Sequence, residues 1–217
     1  MLLAQWIIMA TTMRDRTLYT TLGSLVLLAL VGSGVAPHDR ATWLLEVAPV
    51  LIAAPLLLWS YQRFPLTRLL YVVIAIHALI LIVGGAYTYA RVPAGFWLQE
   101  WLDLSRNPYD KLGHFIQGVT PALLAREILL RCRLVAPGKM LGFIALCVAL
   151  AFSAFYELIE WWVALLAGQG AEDFLGTQGD PWDTQSDMFM ALLGAILSVT
   201  LLARPQDRQI SRLTQQA

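Results

Sequence analysis

Charge is scarce in this sequence. Only 14% of its 217 residues are Asp, Glu, Lys or Arg, against about 25% in an ordinary soluble domain. Fifteen basic and fifteen acidic residues leave no net charge, so the basic excess of a nucleic-acid binder is missing. Cysteine is almost absent too. Cys132 and Cys147 are the two present, and both lie in or beside apolar helical stretches. A disulfide framework and a cysteine metal cage are thereby excluded. No low-complexity segment or internal repeat is visible. What remains is apolar sequence, 58% of the chain. So apolar a chain points to an integral membrane protein. Its length suits one domain, residues 1–217.

Six apolar runs are long enough to span a bilayer, which needs roughly 20 residues. They cover residues 18–35, 43–61, 69–89, 112–130, 140–162 and 188–203. Pro49 and Pro55 break the second. His114 and Gln117 weaken the fourth, and Arg204 with Pro205 stops the sixth. Inside a bilayer only helices and closed barrels satisfy the backbone. These runs are too long and continuous for barrel strands. The expected fold is therefore all-α, a polytopic membrane bundle of about six helices. Met1–Thr12 is apolar but too short to span, and precedes Arg14 and Arg16 rather than following a charged start. It does not look like a signal peptide. Either it lies on the membrane surface or translation starts at Met13.

Orientation follows from the Lys and Arg near the helix ends. With the N-terminus inside, eleven basic residues fall on the cytoplasmic side and four (Arg40, Arg91, Arg106 and Lys111) outside. Both termini are expected in the cytoplasm. Most acidic residues fall on the other side, among them Asp39, Glu46, Glu100, Asp103, Glu172 and Asp173. The loop 90–109, with Trp97 and Trp101, reads as a short interfacial helix. The loop 168–186 has no basic residue.

Three segments bring ionisable groups to one outward-facing layer. Asp110, His114 and Gln117 are spaced i, i+4, i+7 and share a helix face. Glu157 and Glu160 at i, i+3 point into one cleft, and Glu157 lies 17 residues beyond Met140, roughly 25 Å along a helix. The third segment, Gly176–Met188, is a polar turn with Gln178, Asp180, Trp182, Asp183 and Asp187. His77 sits nearer the inner half and falls outside this layer. Plainer roles exist for each group. Asp110 can cap a helix, Thr184 with Asp187 resembles a capping box, and Trp161 and Trp162 fit an interfacial belt. A lone His114 can be a satisfied buried residue, and Glu157 and Glu160 can be solvated.

Coincidence favours function. Intramembrane ionisable groups are costly and mark a site or a pair. Lys111 is the single base in the three segments, so the carboxylates repel one another. Raised pKa values or a bound cation relieve that repulsion. One histidine with oxygen donors suits zinc, manganese or magnesium. The expected ligands are His114, Glu157, Asp183 and Asp187. Glu160, Asp180 and Asp110 are the candidate acid–base residues. Gln117, Gln178 and Trp182 are candidate substrate contacts. A metal there would polarise a phosphoryl or acyl oxygen or activate water. Two other classes fit the same residues: an ion- or proton-coupled transporter, and a non-catalytic scaffold.

The segments Asp110–Gly118, Ser153–Glu157 with Glu160-Trp161-Trp162, and Phe174–Met188 together resemble the YjdF-type bacterial inner-membrane proteins, the domain of unknown function 2238 family. More remotely, Asp110-Lys111 with His114, Glu157, and Asp187 followed by Gly194 resembles the VanZ-like superfamily. The chain departs from that pattern at Ala191, where asparagine is common. The close resemblance implies a multi-helix bacterial inner-membrane protein, and the remote one a VanZ-like core. The remote one implies, by analogy, an envelope lipid or glycan as the partner or substrate.

Overall fold

The computed structural model describes residues 2–167 and 177–216, with side chains over 15–166 and 177–215. Every regular element among them is helical. In chain order they are α1 (Leu2–Val35), α2 (Arg40–Ser60), α3 (Arg68–Tyr87), α4 (Pro93–Trp101), α5 (Tyr109–Arg131), α6 (Lys139–Ala167) and α7 (Asp183–Leu197). A π turn, Ser198–Leu202, joins α7 to α8 (Ala203–Gln216). The bundle is a polytopic helical membrane fold. Leu28, Leu58, Trp59 and Leu166 stand 67% to 89% exposed, a surface that lipid and not water can cover.

Among the described residues five stretches are long and apolar enough to cross a membrane: Asp15–Val35, Arg40–Ser60, Arg68–Tyr87, Lys139–Leu166 and Asp183–Gln215. The expected fourth span is different in kind. At 23 residues α5 reaches about 34 Å, enough for a core roughly 30 Å thick. It falls short on apolarity because it carries Asp110, Lys111, His114, Arg126, Glu127 and Arg131. The reason is position. α5 packs against α3, α6 and α7, so its polar groups face protein partners and not lipid.

Several boundaries differ from expectation. The short helix in the loop 90–109 is there as α4. Residues 2–12 are not a separate segment; their backbone continues into α1. Pro49 and Pro55 do not break α2, which runs unbroken from Arg40 to Ser60. Neighbouring helices and local adjustment make proline tolerable in such a setting. The last helix begins at Asp183, five residues before the expected 188, and does not stop at Arg204-Pro205. Pro205 offers no N–H to Leu201, four residues back, and Leu201 lies inside the π turn. The widened turn therefore absorbs the proline, and the chain stays helical.

Small residues set the closest helix approach. A Cβ on Gly118 of α5 would collide with the Ala191 carbonyl of α7, and one on Gly194 would collide with the Phe115 carbonyl. Ala122, Ala145, Ala149 and Ala195 extend this seam to α6, all fully buried. Ser198 Oγ donates to the Val119 carbonyl at 3.2 Å across the same seam. Lipid is as apolar as leucine, so such close packing, rather than apolar burial, holds membrane helices together.

The end of the bundle at Arg131 is closed by a polar knot. Glu127, fully buried, accepts from Thr67 N at 2.8 Å and Thr67 Oγ1 at 2.7 Å. It also accepts from Arg131 at 3.1 Å and Gln206 Nε2 at 3.3 Å. Arg126 donates to Gln206 at 2.8 Å and Asp207 at 3.0 Å. The knot ties α8 and the start of α3 to α5. Nearby, Arg68 pairs with Asp15, and the Tyr19 ring packs tilted against that of Tyr71 with centroids 4.6 Å apart, which fastens α1.

Candidate functional site

The α5–α7 seam sets the site. His114 lies one turn before Gly118, and Asp187 one turn before Ala191, so the close approach brings them together. His114 is buried. Its Nε2 stands 3.5 Å from Asp110 Oδ1 and 3.9 Å from Asp187 Oδ1. Its Nδ1 lies 3.0 Å from Gln117 Oε1 and 3.8 Å from Glu157 Oε1. An amide oxygen only accepts, so Nδ1 carries a proton there. In the neutral ring that leaves the Nε2 lone pair facing Asp110 and Asp187. One ligand atom from each of Asp110, His114 and Asp187 lies within 4.8 Å of the others. Glu157 is also buried, and its Oε1 has no hydrogen-bond partner.

The expected shortage of cations is corrected by two basic side chains. Lys111 Nζ donates to Asp183 Oδ1 at 2.9 Å, Asp187 Oδ1 at 2.7 Å and Ser186 Oγ at 2.6 Å. Arg106, from the loop before α5, donates to Asp183, lies 3.4 Å from Asp180, and reaches the Thr177 carbonyl at 2.7 Å. Burial works against the Arg106 charge, but the Asp183 hydrogen bond and the Asp183 and Asp180 charges outweigh it and hold its pKa above the ordinary value. Asp183 is therefore engaged by Arg106 and Lys111 and does not join His114. Asp180 is likewise turned to Arg106, and its Oδ1 accepts from Trp182 N at 2.9 Å.

The other turn residues hold the loop. Gln178 makes two bonds with the Asn107 backbone, 3.1 and 3.0 Å, and Trp182 is 68% exposed at the start of α7. Neither capping role is found. α5 follows Pro108 with no side-chain cap, and Asp110 sits in its first turn. α7 follows Trp182, again with no side-chain cap, so Thr184 is inside the helix. Glu172, Asp173 and the motif residues 174–176 lie outside the described residues.

A small cavity opens beside His114, about 20 Å³, lined by Glu46, His77, Asp110, Gln117, Tyr156 and Glu160 among others. That is room for one water or a bare ion. Glu160 thus faces the cavity, while Glu157 meets the far ring nitrogen. His77, expected away from the site, lines it; α3 brings it alongside α5, which its depth along α3 alone did not reveal. Glu46 was missed. It is buried on α2 and accepts from Tyr156 at 3.2 Å. Its signal was a lone carboxylate inside an apolar helix. Tyr89 closes the cavity, its ring seated where Gly84 and Gly113 lack a Cβ. Arg106 had no signal, since a loop arginine is ordinary.

Residues 18–208 match the family described as predicted membrane protein (DUF2238). The chain is 60% identical over 204 residues to inner membrane protein YjdF of Escherichia coli (strain K12), covering 94% of this chain and 97% of that protein. No solved structure matches. The remote VanZ-like resemblance rests on its motif residues alone. A relative this similar along almost its whole length, with several apolar helices in the fold, gives a multi-pass inner-membrane protein. The chain belongs to the DUF2238 family of membrane proteins.

Proposed function

We propose that this inner-membrane protein holds a divalent cation between Asp110, His114 and Asp187 and uses it to bind or process an envelope lipid or glycan. The observation that carries the reading is the orientation of His114. Gln117 occupies Nδ1, and Nε2 faces two carboxylates. A second-shell acceptor of this kind fixes the tautomer that a metal ligand needs. The unpartnered Glu157 Oε1 supports it, because a buried carboxylate oxygen needs a donor, and a cation-bound water is one. Lys111 competes for Asp187, so cation binding turns its ammonium wholly to Asp183 and Ser186.

The chemistry follows from the ligands. Zinc, manganese and magnesium all accept a histidine with oxygen donors. The cation would polarise a phosphoryl or acyl oxygen or activate water, with Glu160 as proton acceptor from the cavity wall. The cavity is too small for a headgroup, so only the reacting oxygen reaches in. Asp183 and Asp180 serve in this reading to hold Arg106 and Lys111, and Gln178 to hold the loop.

Ion-coupled transport is the second reading, favoured by Glu46, His77 and Glu160 adding ionisable groups to the cavity beside the triad. Against it, Val119, Ala122 and Leu123, at most 3% exposed, close the seam between this cavity and the Glu127 knot. A third reading, a scaffold, leaves the triad without a task. The test is elemental analysis of the protein purified in mild detergent without chelator. We expect one equivalent of a divalent metal, absent in His114→Ala and Asp187→Asn. In Gln117→Leu we expect about 10–100-fold weaker affinity. No metal in the wild type after adding it back overturns the reading, as does equal metal in His114→Ala.

A further inference from the structure

A second feature lies at the other end of the bundle, unconnected to the His114 site. A groove on the outer face of α6 and the π turn is lined by Gly138, Lys139, Gly142, Phe143, Leu146 and Val199. Its floor is apolar, and its charged member is Lys139, the first residue of α6. Two glycines keep it open. A Cβ added at Gly142 would meet nothing nearer than Val199 Cβ at 4.0 Å, and one at Gly138 nothing within 4 Å. Gly118 of α5 and Gly194 of α7 each admit a neighbouring helix; among the described residues no helix enters here. Phe143 and Met140 beside it are about 60% exposed, at 61% and 62%.

We propose that this groove binds an anionic phospholipid, one acyl chain lying along Gly142, Leu146 and Val199 and the phosphate at Lys139. Charge and position select the occupant. The groove opens on the membrane-facing surface of a span, so an acyl chain is what fills it. The cation at its mouth stands where the span ends, at headgroup depth, where lysine attracts anionic lipid. The π turn supplies one wall. Its residue Val199 lines the groove. A zwitterionic phospholipid matches the apolar floor equally but gains less from Lys139.

The experiment is lipid retention by the full-length protein. Protein in detergent is exchanged against equal phosphatidylglycerol and phosphatidylethanolamine, washed, and examined by native mass spectrometry. We expect one retained phosphatidylglycerol in the wild type. Gly142→Leu, which fills the groove, should lose it. Gly23→Leu places the same side chain on α1, where a Cβ meets nothing within 4 Å, and should retain it. Lys139→Gln should weaken phosphatidylglycerol retention about fivefold, the effect of one basic residue at the membrane surface, and Lys139→Arg should restore it. Retention in Gly142→Leu equal to wild type overturns the proposal. So does equal retention of the two lipids by the wild type, or an unchanged preference in Lys139→Gln. Should Gly142→Leu fail to fold, the lysine pair decides.

Discussion

Removing the Glu127 carboxylate should destabilise the whole bundle more than any change at the His114 site. Glu127 is fully buried and accepts four bonds: two from Thr67, one from Arg131 and one from Gln206. In Glu127→Ala the Thr67 N–H and the Gln206 amide lose an acceptor where no water reaches, and Arg131 loses its counter-charge. Breaking a buried ion pair from one side costs about 3–5 kcal/mol. For a chain of this size each kcal/mol moves Tm by about 2–4 °C. The expected fall is therefore about 6–20 °C. Glu127→Gln keeps one carbonyl acceptor and should fall between the two. Thermal unfolding in detergent, followed through the eight tryptophans, reads this directly. Hydrogen exchange should also speed up first in α8, which the knot anchors. A Glu127→Ala protein melting within about 2 °C of wild type, with α8 amides equally protected, would refute the argument that the knot holds α8.

Two further predictions are structural. Gly118→Val should force α5 from the Ala191 carbonyl, cost at least the 1–3 kcal/mol typical of overpacking, and separate His114 from Asp187; cross-linking of cysteines placed on α5 and α7 would measure the spacing. At the start of α2, Asp39 accepts from Thr42 N at 2.7 Å, and this backbone hydrogen bond holds its carboxyl below the ordinary pKa. A lowered folded-state pKa means the cap stabilises above the ordinary carboxylate range and loses its effect as pH falls through the lowered value. Asp39→Ala should therefore cost about 1 kcal/mol at neutral pH and almost nothing near about pH 2, with melting curves taken at both.

Part of the molecule was legible from one dimension. Long apolar runs demand helices, because a lipid-exposed backbone must bond to itself. The i, i+4, i+7 spacing of Asp110, His114 and Gln117 puts them on one face whatever surrounds the helix. Those features depend on local geometry alone, and they hold in the structure. Pro49, Pro55 and Pro205 did not act as the breaks they suggest, because a proline's effect depends on what repairs the lost hydrogen bond. At Pro205 the repair is a π turn with no sequence signature.

Tertiary structure decided the rest. Gly118 and Gly194 set the α5–α7 register, and that register gives His114 to Asp187 and Asp183 to Lys111 and Arg106. Which carboxylates Lys111 and Arg106 reach is a property of packing across 70 or more residues of chain. Glu46 on α2 and His77 on α3 reach the cavity the same way, from helices whose faces no periodicity relates. Sequence determined which segments are helical and which residues share a helix face. Only the fold decided which faces meet, because pairing distant side chains depends on how closely two helices approach, and here two missing Cβ atoms decide that.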